Sequence, residues 1–144
     1  MRILLLGEYS DLHWTLAEAL RSLGHDVTVA SDGDGFKKYK RDIDLVRKSS
    51  GVKDTFDTLF TVLRNLKNFK GYDIVQLINP CFTQLNISVN QYLYRYLKKH
   101  NKKIFLGAFG VDSYWVRACL DKKTFRYSEF YIGAEKNNLA DNEI

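Results

Sequence analysis

The stretch LLLGEYSDLHW, residues 4–14, gathers the side chains of this chain best suited to chemistry. An apolar run ends on Gly7, and Glu8, Tyr9, Ser10 and His13 follow. An imidazole near neutral pH acts as a base or contacts a substrate hydroxyl. A carboxylate accepts hydrogen bonds from hydroxyls, and a glycine lets the chain turn sharply with a ligand close to its backbone. His13 is therefore the candidate catalytic residue, and Gly7, Glu8, Tyr9 and Ser10 are candidate substrate contacts. The competing reading is an ordinary capped turn, with Glu8 holding the loop and His13 in water.

Three further groups share this polar character. Asp32 and Asp34, interleaved with glycines, can bind sugar hydroxyls or a cation, or can simply make a turn. Asn79, before Pro80, and Asp112, after Gly110, complete the candidate binding residues. His25 precedes a strand at the opposite edge and reads as structural. Tyr92, Tyr94 and Tyr96 alternate around a helix and read as packing or surface residues. Cys81 and Cys119 form no Cys-x-x-Cys, and no histidine pair has metal spacing; both read as reduced thiols. No metal and no cofactor is expected.

Positioning falls to the surrounding elements. Arg2–Leu6 is short and continuously apolar, as a buried strand is. Leu12, Leu16, Leu20 and Leu23 recur at helical spacing, with Ser10 or Asp11 as cap and Gly24 as terminator. The start of that helix would offer free N–H groups and a partial positive charge to a phosphate. Val27–Ala30 is a second strand. The charged stretch from Ser31 to about Val52 reads as irregular; its part from Asp34 to Ser50 is expected to exchange amides readily and to fold over a cleft. Phe56, Leu59, Phe60, Leu63 and Leu66 mark the apolar face of a second helix, closed by Gly71. Asp73–Ile78 is a third strand. Leu85, Val89, Tyr92, Leu93, Tyr96 and Leu97 mark a third helix, and Lys103–Leu106 a fourth strand.

This alternation predicts an α/β fold: a Rossmann-like doubly wound sheet, mainly parallel, with helices on both faces. The first strand should lie between the second and third, with the fourth beyond the third or the first. Trp115–Leu120 reads as a short helical turn and Phe130–Ile132 as a short strand. The domain is expected over residues 1–133, with 134–144 a polar tail or the start of a linker into further chain. Ligands of such sheets bind outside the carboxyl ends of the strands, where the candidate residues collect.

Familiar uses of the fold fail on the loops. A dinucleotide site needs G-x-G-x-x-G after the first strand, and Gly7 stands without the other glycines. A P-loop needs G-x-x-x-x-G-K-S/T, which is missing. A receiver domain needs an acidic pair after the first strand and an aspartate ending the third, which Glu8 and Asn79 do not supply.

A length of 144 residues suits one domain, and 45% hydrophobic with 27% charged residues is ordinary for a soluble globular chain. The run Ile3–Leu6 is too short for a signal peptide or a membrane span, so a cytoplasmic location is expected. The net charge of +5 comes from clusters: Lys37, Lys38, Lys40 and Arg41; Lys98, Lys99, Lys102 and Lys103; Lys122 and Lys123. These are either solvated or suited to an anionic partner, such as a membrane surface or a phosphate-bearing substrate. No nucleic-acid motif accompanies them.

The run MRILLLGEYSDLHWTLAEALRSLGHDVTVASDGDG resembles the amino-terminal half of GT-B glycosyltransferases. It is most similar to family-4-like enzymes of bacterial polysaccharide pathways. LAEALRSLGHDVTVAS is the most typical part, and YDIVQLINP also fits; the resemblance covers nearly the whole chain. It implies a two-domain enzyme in which the carboxy-terminal domain holds the nucleotide-sugar donor. The amino-terminal domain receives a saccharide or lipid-linked acceptor, and its first loop approaches the donor phosphates. This chain would be the acceptor half, inactive alone, cytoplasmic and in peripheral contact with anionic membrane. The family's first loop is often richer in glycine than Gly7-Glu8-Tyr9-Ser10. The alternative function is a free-standing Rossmann-like ligand-binding module without catalysis.

Overall fold

A computed structural model describes residues 1–46, 52–107 and 113–121. Residues Met1–Gly107 form one compact unit around an all-parallel sheet. The elements run β1 (Arg2–Leu6), α1 (Leu12–Ser22), β2 (Asp26–Ser31), β3 (Ile43–Asp44), α2 (Val52–Asn65), β4 (Ile74–Leu77), α3 (Ile87–His100) and β5 (Lys103–Leu106). In space the strands order β3-β2-β1-β4-β5. The four strands expected from the sequence are present in the expected order, and all pairs are parallel.

Strand alternation distributes β1 between two helical layers. Ile3 and Leu5 pack with Val27, Val29 and Ala17 of α1. Leu6, on the other face, meets Leu66, Phe69, Leu93 and Leu97 around α3. Both faces are thus covered at β1, which explains its unbroken apolar run. Helix α1 ends in a Schellman motif: Gly24, at φ 81°, donates to the Arg21 carbonyl, and His25 donates to that of Leu20.

Two expectations are corrected. The stretch after β2 is not irregular throughout, because its two-residue strand β3 extends the sheet and Leu45 beside it is buried. Asp42 anchors this stretch, its carboxylate accepting from the Val29 N–H at 2.7 Å and the Arg21 guanidinium at 2.6 Å. The second correction concerns α2. Among its described side chains Thr58 and Val62 are buried, while Phe56, Phe60 and Leu63 are exposed. The exposed row carries the aromatics, while Leu59 and Leu66 of the expected face are half-buried.

The chain from Ala108 forms a second unit, whose described residues carry α4 (Ser113–Leu120) over the expected helical turn. Asp112, the expected strand Phe130–Ile132 and the polar segment 134–144 lie outside the described residues.

Candidate functional site

The strand order reverses between β1 and β4, so the crevice of the fold lies beyond their carboxyl ends. Gly7 leaves β1 at φ 84°, in the left-handed region that favours glycine. A Cβ there would overlap Ile78 Cγ2 and lie 3.2 Å from the Phe82 carbonyl oxygen. The loops after β1 and β4 are therefore in direct backbone contact, and glycine is what permits it.

Glu8 defines the loop. Its side chain is buried, and one carboxylate oxygen accepts the Tyr9 N–H at 2.8 Å and the His13 N–H at 3.1 Å. The other accepts the Trp14 N–H at 3.0 Å. Leu12 N–H donates to the Tyr9 carbonyl and Thr15 N–H to that of Asp11. The amino terminus of α1 is thus satisfied from within the protein. Neither Ser10 nor Asp11 caps it through a side chain: both adopt positive φ, and Asp11, at the cap position, makes no such bond. The expected free N–H groups for a phosphate are likewise already used. A carboxylate occupies the place where a dinucleotide fold holds pyrophosphate, and the helix dipole favours negative charge there from either source.

His13 is fully enclosed, at 0% exposure. Its Nδ1 lies 2.7 Å from the Gly7 carbonyl, which accepts the Nδ1–H and so fixes the tautomer. Nε2 then faces the interior as an acceptor without a partner among the described residues. Burial holds the imidazole pKa below its ordinary value, against the opposing pull of the Gly7 carbonyl and the Glu8 charge. The ring is neutral and internal, not at the surface where contact with an acceptor hydroxyl was expected. It braces the turn from beneath.

The polar groups that do face outward join three loops. Asp34 accepts from the Ser10 N–H at 3.0 Å and from Lys37 Nζ at 2.7 Å. Lys37 in turn lies over the rings of Tyr9 and Tyr39, 5.8 and 5.9 Å from their centroids. Partial burial disfavours the Asp34 carboxylate, but the bonds from Lys37 and Ser10 outweigh this and hold its pKa low. Asp32 accepts from the Gln84 side-chain amide, linking the loops after β2 and β4. Asn79 caps its own turn, accepting from the Cys81 N–H at 2.8 Å. The structure therefore brings Tyr9, Ser10, Asp32 and Asp34 to one edge, together with Lys37 and with Gln84 and Tyr39, which no sequence pattern marked as contacts.

Behind this edge the loop after β4 is pinned by buried Asn90. Its Oδ1 accepts from the Thr83 N–H and hydroxyl, both at 3.0 Å, and its Nδ2 donates to the Leu85 carbonyl at 2.9 Å. A groove of about 190 Å³ opens between the ends of β4 and β5 and α3, lined by Leu77, Pro80, Ile87, Tyr94 and Leu106. Comparison with protein-family models, curated proteins and solved structures finds no match. Among the described residues no group of three His, Cys, Asp or Glu is placed to hold a metal ion. No helix among them is long and apolar enough to cross a membrane.

Proposed function

We propose that this chain is the acceptor-binding half of a glycosyltransferase that moves a sugar from a nucleotide-sugar donor to a saccharide or lipid-linked acceptor. The observation that carries the reading is the Glu8 carboxylate seated on the start of α1. With that position taken, the crevice repels phosphate and keeps its outward acids and amides for hydroxyls. Asp32 with Gln84, and Asp34 with Ser10, bond each other and keep spare lone pairs and protons for hydroxyls, and exposed Tyr9 offers a ring face to a sugar. The apolar groove beside them suits the lipid portion of a lipid-linked acceptor. The resemblance of residues 1–35 to GT-B amino-terminal halves supports the same assignment, with the donor bound by a second domain.

The reading places the protein in the cytoplasm, in peripheral contact with anionic membrane. Phe36 stands 89% exposed beside Lys38 and Lys40, an arrangement suited to an interface of headgroups and acyl chains. Lys37 and Arg41, also expected to meet headgroups, are instead paired with Asp34 and Asp44. The test is sugar transfer. The natural protein carrying this chain should consume one member of a nucleotide-sugar panel when given saccharide or lipid-linked acceptors, while the 144-residue chain leaves the panel intact. Turnover by the repurified chain alone, or an intact panel with the natural protein, overturns the reading.

A further inference from the structure

Helix α2 presents an exposed apolar stripe that is unpartnered among the described residues. Phe56, Phe60 and Leu63 recur at i, i+4 and i+7 and are 67%, 66% and 47% exposed. Such a row on one helical face is an association surface. Its flank indicates the occupant. Asp57 and Arg64, both exposed, stand on the same side of the stripe, Asp57 one turn before Phe60 and Arg64 one turn after it. Among the described residues neither takes part in an ion pair.

That pattern is self-complementary under a twofold axis. When a second helix of the same sequence lies antiparallel, Phe60 meets Phe60 of the partner subunit and Phe56 meets Leu63 of the partner subunit. On the shared flank Asp57 meets Arg64 of the partner subunit, and the symmetry makes the same pair twice. We propose that α2 is the contact of a homodimer, built by antiparallel pairing of this helix with a second copy. A membrane is the less suitable occupant, because Asp57 would face anionic headgroups, whereas interfacial helices carry basic flanks. The inference is independent of the glycosyltransferase reading.

The surface also sets the strength. Two phenylalanines and a leucine at these exposures offer roughly 350 Å² per copy, so the pair removes roughly 700 Å² against the 1,200–2,000 Å² of stable interfaces. The dimer should therefore be weak, forming at tens to hundreds of micromolar.

Sedimentation equilibrium of the whole chain, from about 10 μM to 1 mM, tests this. A reversible monomer–dimer equilibrium is expected, abolished by Phe60→Ser and weakened at least fivefold by Asp57→Arg or Arg64→Asp alone. The double swap, Asp57→Arg with Arg64→Asp, should restore it. All changes are at exposed positions, and circular dichroism checks that each variant keeps its helix content. A monomer at every concentration, association indifferent to Phe60→Ser, or a double swap that fails to dimerise overturns the proposal. So does Phe60-dependent capture by phosphatidylglycerol vesicles without self-association, which would assign the stripe to the membrane.

Discussion

Replacing Glu8 with glutamine keeps the length of the side chain and removes its charge from the start of α1. The parent carboxylate receives three backbone N–H groups while only 6% exposed. An amide supplies one acceptor oxygen and turns a donor toward the remaining N–H. Bonds to charged groups contribute about 1.5–3 kcal/mol. Loss of a helix cap costs about 0.5–2 kcal/mol, and loss of charge against the dipole about 0.3–1 kcal/mol. These overlap, because one oxygen keeps its bonds, and a destabilisation of about 2–3 kcal/mol follows. For a domain of this size that lowers Tm by roughly 8–12 °C. Urea titration at pH 7 followed by circular dichroism measures it. Glu18→Gln is the matched control: its carboxylate accepts only the Trp14 indole N–H among the described residues, at 2.8 Å and in an exposed setting. It should cost under about 0.5 kcal/mol. If Glu8→Gln falls within 0.5 kcal/mol of the parent, Glu8 is not the cap of α1 and the reading of the loop fails.

Gly7→Ala should destabilise by about 2–4 kcal/mol, the sum of a left-handed backbone and the overlap with Ile78; a melt unchanged within 1 °C would refute the close approach of the two loops. Asn90→Ala should cost about 2–4 kcal/mol, because it leaves the Thr83 and Leu85 backbone groups unpaired in the interior; urea titration reads it, and a loss under 1 kcal/mol speaks against the pin. Stability should also depend on pH through His13. Burial lowers its pKa in the folded state from the ordinary 6.5, so the unfolded chain binds the proton first on acidification. The His13 contribution is therefore complete above about pH 7 and falls as pH drops below 6.5, and His13→Gln should flatten the slope between pH 7 and 5.5. Parallel slopes for parent and variant would show that the ring is solvated.

The strands were legible where burial on both faces demands unbroken apolar residues, as at Leu4, Leu5 and Leu6, and the order followed from the alternation of elements. Strand β3 was not legible, because two residues carry no period and only Leu45 marks its burial. The face of α2 was misread for a different reason. Its larger side chains, Phe56 and Phe60, dominate any pattern, but burial falls on the slimmer stripe of Thr58 and Val62. At the site, small and polar residues follow β1, β2 and β4 at the carboxyl edge of the sheet. Glu8 as holder of the loop was one of the two readings open from the sequence, but its capping bonds were not legible, because it reaches amides five and six residues ahead instead of the local spacing of a capping box. Gln84 was hidden because only the fold brings it to Asp32.

The central claim is that an internal carboxylate takes the place of a bound phosphate and leaves the sheet edge to hydroxyls. Amide chemical shifts of the ¹⁵N-labelled chain, titrated in parallel with neutral oligosaccharides and with uridine diphosphate, test it most directly. A saccharide should move the amides of Tyr9, Ser10, Asp34 and Gln84, while the diphosphate should leave those of His13 and Trp14 in place. Shifts at His13 and Trp14 on adding the diphosphate, with no response to any saccharide, would contradict it.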